Sequence, residues 1–408
     1  MSERQKVLFL AHRIPYPPNK GDKIRSWRML EALAERYDVS LATFIDDPDD
    51  WRYTEKLKSI CSETCFAPLQ KQTARLRGIL SLLKGGALST AYFYDPVIEQ
   101  FVKDEARKPL SAVVAFSSAM VQYIDHVEAP AIVDFCDADS AKWVSYAEMG
   151  GLAAPIYRLE AERLQRLERS AAFHADVSFA VTPREAALIG SEVRWFGNGV
   201  DTDFFHRSMQ RSDQSLKSDV IFTGRMDYPP NVEAVYWLAD RVWPLVMRNM
   251  PEARFAIVGA KPTAEVRALV SKPGVLVTGA VDDIRPWLAN AKVAAAPLAI
   301  ARGVQNKVLE AMAMGLPVIA STGAAEGLGL KDGDIGPVIR RTESADCEAE
   351  WASAIVRLLE SSERRQELGS RARAVAVDQY SWSDQLAPFL DAVARIARPV
   401  PTVNARVS

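Results

Sequence analysis

Short, near-continuous apolar runs recur along this chain, each parted from the next by a longer amphipathic stretch. In the first half they are Val7–Ala11, Val39–Phe44, Ala112–Phe116, Ile132–Phe135, Val177–Val181 and Val193–Trp195. In the second they are Val220–Thr223, Phe255–Val258, Val275–Thr278, Val293–Ala296 and Val318–Ser321. Runs of this length without polar alternation are what parallel strands covered on both faces require, and the helical stretches between them supply the crossovers. Two such series predict two doubly wound α/β domains. The length, 408 residues, agrees, because it exceeds what one core usually supports.

The break falls at the polar segment Arg207–Asp219, which has no apolar periodicity and reads as a linker. The expected division is residues 1–206, a linker at 207–219, a second domain at 220–380 and a last helix at 381–397. Helices are expected at Trp351–Leu359 and Arg364–Val377, and Ser381 is a candidate N-cap for the last one. The tail Pro399–Ser408 is expected to fray.

Composition narrows the function. With 25% charged residues and a net charge of −2, the chain lacks the basic excess of a nucleic-acid binder. Cys61, Cys65, Cys136 and Cys347 show no metal-site spacing and read as reduced thiols, so no metal is expected. Neither a signal peptide nor a membrane-spanning apolar run is evident, which predicts a cytoplasmic protein whose contact with a membrane is peripheral at most.

In sheets of this kind the chemistry lies in loops beyond the carboxyl ends of the strands. The segment Arg302–Val318 is entered from Gly303, runs as a helix with Lys307 one turn before Glu310, and is closed by Gly315 and Pro317. A lysine near a helix N-terminus suits a diphosphate, and the glutamate offers acceptor oxygens to ribose hydroxyls. Earlier in the same half a strand ends at Gly224 and Arg225 follows. That arginine can grip a diphosphate at two oxygens or pair with an acid of its own domain. Asn231 is a candidate cap for a helix starting near Val232.

In the first half His12–Arg25 follows the first strand, stiffened by prolines, with Gly21 before a helix and Lys20, Lys23 and Arg25 adding positive charge. Gly197–Asn198–Gly199 is a turn signal at the expected hinge. Asp134, Asp137 and Asp139 read equally as ligands for acceptor hydroxyls or as a helix N-cap, since the glycine and spacing of a calcium loop are missing. Gln70–Lys84 is basic and amphipathic. Packing on the core with a solvated basic face is its expected arrangement, with an anionic membrane surface as the alternative. The Arg158–Ser170 helix reads as a charged exposed face. No serine–histidine–acid set and no Walker A sequence can be assembled.

Taken in order, the glycine loop at Gly21, Asn198–Asp201, Phe222–Arg225, Val277–Gly279 with Asp282–Ile284, and Lys307–Ala313 with Gly315 and Pro317 resemble the retaining GT-B glycosyltransferases of family 4, or group 1 type. The Tyr228–Pro230–Asn231 and Gly303–Lys307 variants look most like sugar transferases of exosortase-associated exopolysaccharide clusters. The resemblance implies two Rossmann-like domains facing a central cleft, the N-terminal one on the acceptor side, the C-terminal one holding the donor, and helix 381–397 crossing back.

It also implies a hexosyltransferase that needs no cofactor or metal and takes a UDP- or GDP-sugar, with a saccharide or lipid-linked saccharide as acceptor. Arg225 and Lys307 would hold the diphosphate and stabilise leaving-group charge. Gly21, Gly224, Gly303, Val304, Gln305 and Glu310 would line the donor; Lys20, Asp139, Asn198 and Arg302 would contact acceptor or sugar. The family's paired-glutamate signature has its first glutamate where this chain has Arg302. Two other readings are a nucleotide-sugar 2-epimerase of the same fold and a catalytically weak sugar-binding subunit.

Overall fold

Each apolar run forms a strand, and all strand pairings are parallel. The computed structural model describes residues 4–148, 150–209, 213–301 and 303–397; the expected frayed tail Pro399–Ser408 lies outside them. The chain divides into two compact units. One runs to Phe196 and resumes at Leu386; the other is Gly197–Gln385.

The first unit is built on a 7-stranded sheet in the order β3-β2-β1-β4-β5-β6-β7. Its strands are β1 (Lys6–Ala11), β2 (Asp38–Ile45), β3 (Glu63–Pro68), β4 (Ala112–Phe116), β5 (Ala131–Asp134), β6 (Val177–Ala180) and β7 (Arg194–Trp195). β3 was not foreseen. It is an edge strand whose outward positions are polar or half-buried, so its sequence, Glu-Thr-Cys-Phe-Ala-Pro, lacks the apolar run that marks the others. The register sets Ala11 opposite Thr43 and Phe116, and Phe116 opposite Asp134, so the carboxyl ends of β1, β2, β4 and β5 lie side by side.

The second unit repeats the plan with a 6-stranded sheet, β10-β9-β8-β11-β12-β13. Here β8 is Ser218–Thr223, β9 Phe255–Val258, β10 Val275–Gly279, β11 Ala291–Ala296, β12 Val318–Ser321 and β13 Val338–Ile339. Its core draws on residues from Val200 to Ala376, with Trp237 and Trp351 packed edge to face within it. Residues 197–209, expected in the first domain and the start of the linker, are tied into this unit. The Gly197 amide donates to Gln385 Oε1, the Val200 amide to the Tyr380 carbonyl, and Arg373 donates to the Phe205 and Thr202 carbonyls.

One local expectation holds and three are corrected. Ser381 Oγ accepts from the Asp384 amide and caps the Trp382–Ile396 helix. Asn231 is not a cap; its helix, Pro229–Trp237, starts two prolines earlier at the fixed φ that suits a first turn. The Arg158–Ser170 region, within the helix Ala154–His174, is not merely a solvated charged face. Glu160 accepts from the Leu88 and Ser89 amides, Arg163 donates to the Leu82 and Gly86 carbonyls, and Glu168 accepts from Ser118 and Ser140. The basic helix Lys71–Leu83 does not bury its apolar stripe: only Ala74 and Gly78 are buried. No helix among the described residues is long and apolar enough to cross a membrane.

One buried ion pair knots the first unit together. Arg25, on the helix Gly21–Arg36, is fully buried and meets Asp134 at the end of β5 through two bonds of 2.7 and 3.2 Å. It also donates to the Phe196 carbonyl at 3.0 Å and lies 3.6 Å from the centre of the Phe196 ring. That ring stacks on Phe389 of the last helix. Removing one partner strands the other charge in the core, a loss of about 3–5 kcal/mol. Arg25→Met should therefore lower the unfolding midpoint sharply in urea titration, and Arg25→Met with Asp134→Leu should recover much of the loss.

Candidate functional site

The helix Asn306–Ala313 carries the strongest functional sequence signal, and its geometry is well defined. The chain enters it from Gly303, whose φ of 59° is left-handed, and Gly303 sits hard against Gly327. A Cβ on Gly327 would come within 2.1 Å of the Gly303 carbonyl oxygen. Gly303, Val304 and Gln305 thus form a fixed backbone turn at the positive end of a helix, where amides suit an anion. Asn198 is held at the same end, its Nδ2 donating to Asn306 Oδ1 at 3.0 Å.

Lys307 lies in the first turn. Its Nζ donates to Asn231 Oδ1 at 2.9 Å, and Asn231 Nδ2 in turn donates to the Arg225 carbonyl at 2.9 Å. Asn231 therefore joins the two cation-bearing segments, a role that the Pro229–Pro230–Asn231 sequence did not suggest. Gly224 makes room for this link. With a φ of 147° and Asn231 Nδ2 only 2.8 Å from where a Cβ would stand, it allows no side chain without moving Asn231. The Arg225 guanidinium makes two bonds to Asp227, at 3.0 and 2.6 Å, so it is oriented by an acid of its own unit.

The two ionisable groups of the helix are both shifted toward neutrality. Burial pulls the Lys307 ammonium down to about 8, against the attraction of Glu310. Burial likewise pushes the Glu310 carboxyl up to about 7, against the attraction of Lys307. Each would recover its charged form beside a ligand supplying the missing partner: an anion for Lys307, hydroxyl donors for Glu310.

A second polar cluster lies at the strand ends of the first unit. His12, the residue after β1, is packed against the rings of Phe93 and Phe116, and its Nε2 lies 3.4 Å from Asp22. Arg13 bonds Asp22 at 2.6 Å and approaches Asp46 at 3.2 Å, and Lys20 lies 3.7 Å from Asp46. Burial pushes the Asp22 carboxyl up, but the His12 hydrogen bond and the charges of Arg13 and His12 outweigh it and hold it well below the usual range. Gly21 opens the helix immediately after Lys20. Lys23 and Arg25, expected to add charge to a phosphate site, point inward instead: Lys23 is buried on Asp50 at 2.6 Å and Arg25 on Asp134.

Among the three carboxylates of Asp134–Asp139, only Asp134 is committed to structure. Asp139 opens the helix Asp139–Glu148 and is half-buried. Burial, then the charges of Glu185 and Asp139, push Asp137 up to about 7, opposed by Lys142 and Arg25. Among the described residues no hydrogen-bond partner serves Asp137 Oδ1, His12 Nδ1 or Ser117 Oγ, all buried at the ends of the neighbouring strands β5, β1 and β4. Ser117 takes a φ of 80°, a conformation a non-glycine residue adopts at a cost.

Of the residues singled out from sequence, Gly224, Arg225, Gly303, Val304, Gln305, Lys307, Glu310 and Asn198 belong to the second unit. There Asn231 and Asn306 tie Arg225, Lys307 and Asn198 to one helix head. Lys20, Gly21 and Asp139 belong to the first unit. Arg302 lies outside the described residues. His12, Ser117 and Asp137 were missed as a group. Their one shared sequence signal is position: each follows closely on a strand that is buried but for at most its first residue.

Comparison with known proteins agrees with this layout. Residues 217–361 match the family model described as Glycosyl transferases group 1. Phosphatidyl-myo-inositol mannosyltransferase of Mycobacterium leprae is 32% identical over 203 residues, 48% of this chain and 51% of that protein. The chain thus spans about half the length of the curated relatives it matches. Anabaena HepE, solved with UDP and glucose, superposes with a TM-score of 0.68 at 15% identity, covering 96% of this chain and 100% of HepE. Sucrose-phosphate synthase from Thermosynechococcus elongatus gives 0.71 at 17% identity, covering 96% and 99%. The chain has the GT-B glycosyltransferase fold, two parallel-sheet α/β domains, and its second unit carries the group 1 glycosyltransferase match.

Proposed function

We propose that the chain is a retaining, metal-independent hexosyltransferase. It moves a sugar from a UDP- or GDP-sugar to a saccharide acceptor, lipid-linked, in exopolysaccharide or cell-surface glycan biosynthesis on the cytoplasmic side of a membrane. The observation that carries this reading is the head of the Asn306–Ala313 helix, where Lys307 is aimed by Asn231 and Glu310 follows one turn later. Departure of a nucleoside diphosphate builds charge on phosphate oxygens. Lys307, Arg225, the amides of 303–305 and the positive end of the helix answer that charge without rearranging at the moment of reaction.

Glu310 accepts from the donor ribose hydroxyls, and Gly224, by lacking a side chain, lets Asn231 close in and hold Lys307 for the diphosphate. The acceptor reading draws on the first unit. His12 Nδ1, Ser117 Oγ and Asp137 Oδ1 are buried hydrogen-bonding atoms awaiting partners, which saccharide hydroxyls supply. Lys20, Gly21 and Asp139 stand at the same strand ends and are assigned to substrate contacts, as is Arg302. The name of the mycobacterial relative supports a lipid-bearing acceptor, and the UDP and glucose of HepE support the donor class.

The decisive experiment incubates the purified protein with a panel of nucleotide sugars and acceptors and measures nucleotide release. Release with at least one donor is expected. No release with any, together with a melting temperature unmoved by UDP or GDP, sinks the reading. Lys307→Ala should cut turnover by about a hundredfold, the scale of losing one electrostatic stabiliser. Lys292→Ala, an exposed lysine paired with Asp219, should change it little.

Binding should also depend on pH. In the empty site Lys307 loses its proton above about 8, whereas a bound diphosphate favours the ammonium. Binding then takes up a proton, and affinity falls by up to about tenfold per pH unit beyond that point. Titration calorimetry with UDP or GDP from neutral to alkaline pH should show this fall and the proton uptake, and Lys307→Arg should flatten it.

A further inference from the structure

We infer that the outer face of the Lys71–Leu83 helix, continued by the first turns of Ala154–His174, is a docking surface for an anionic lipid bilayer. The sequence between Thr64 and Tyr94 contains no acidic residue, yet holds Lys71, Arg75, Arg77 and Lys84. The helix turns Ala74 and Gly78 inward, and Leu88 packs so closely over Gly78 that a Cβ there would meet Leu88 Cγ at 2.9 Å. The opposite side carries Leu76, Ile79, Leu80 and Leu83, which are 59%, 53%, 48% and 80% exposed. Their spacing, i, i+3, i+4 and i+7, makes one stripe along the helix.

The cations flank that stripe. At about 100° per residue, Arg75 lies a quarter turn to one side of Leu76 and Lys84 about a quarter turn to the other, whereas Arg77 is half-buried, its guanidinium 5.9 Å from the centre of the Tyr94 ring. Apolar side chains with a long cationic one on either side is the arrangement that enters the headgroup boundary, leucines downward and charged tips at the phosphates.

The helix is held rigidly for the purpose. Arg163 donates to the Leu82 and Gly86 carbonyls at its end, and Glu160 takes the amides of Leu88 and Ser89. On the helix bearing those two residues, Ile156 and Leu159 lie one turn earlier on the same side and are exposed, and Leu152 just before that helix is fully exposed. The apolar area therefore spreads over two elements.

Charge decides the occupant. A second copy bound about a two-fold axis would set Arg75 and Lys84 against themselves, so self-association through this face is opposed by like charge. Anionic headgroups answer every cation on it. The surface serves the lipid-linked acceptor of the reading above; it belongs to the first unit, the helix head at Lys307 to the second.

The test is co-sedimentation of the full chain with vesicles of phosphatidylcholine, alone or mixed with phosphatidylglycerol. Binding to the mixed vesicles, weakened by salt, and little binding to pure phosphatidylcholine are expected. Leu76→Gln with Leu83→Gln should lower partitioning by about tenfold or more. Arg75→Gln with Lys84→Gln should lower it several-fold, and Val377→Gln, in the second unit, should not. Melting temperature should stay unchanged in all three, as should the shift produced by nucleotide.

Failure of the wild type to bind mixed vesicles, or binding by both double variants at wild-type strength, overturns the proposal. A dimer in light scattering that Leu76→Gln with Leu83→Gln abolishes also overturns it, in favour of a second copy. Lost vesicle binding with intact nucleotide release removes the surface and leaves the transferase reading; vesicle binding without nucleotide release does the reverse.

Discussion

A parallel strand covered by helices on both faces has no room for an unpaired charge along its length. In both units that constraint pushes polar and charged side chains to the strand ends, where backbone amides and short loops can satisfy them. Gly224 and Arg225 follow β8, His12 follows β1, and Ser117 and Asp137 follow β4 and β5. Where a charge does enter the interior, as with Arg25, it is met on every side by Asp134, the Phe196 carbonyl and an aromatic face. The rest of the first unit is arranged around that knot.

How much of this could be read from the chain alone depended on whether the signal was local. Strands buried on both faces announce themselves as apolar runs, and all of these were visible. β3 and β13 are edges, one half polar and one of two residues, and lack that mark. The Lys307–Glu310 pair was legible because both residues lie on one helix and neighbouring turns bring them together. The polar cluster of the first unit was not, because it is assembled by the register of three strands that are far apart in sequence. Nor does composition show direction: Lys20, Lys23 and Arg25 look alike in sequence, yet two of them face the core.

The same distinction explains the charged helix Ala154–His174. Its Glu and Arg residues pattern like a solvated face. Three of them nevertheless serve as caps for backbone groups elsewhere: Glu160 for the Leu88–Tyr92 helix, Arg163 for the end of Lys71–Leu83, and Glu168 for the start of Asp139–Glu148. A helix terminus leaves unsatisfied amides or carbonyls, and a neighbouring side chain can meet them as well as a local one. Sequence rules look for the local cap and find none at these ends.

The return of the last helix to the first unit has a consequence for the order in which the protein is made. Phe389 sits fully buried against Phe196 and Phe179, so the aromatic stack beside Arg25 lacks a member until the whole second unit has been synthesised. The second unit, Gly197–Gln385, is continuous and can close as soon as it has emerged. The unit synthesised first is therefore completed last, and during translation its exposed aromatic seam is the part most in need of protection.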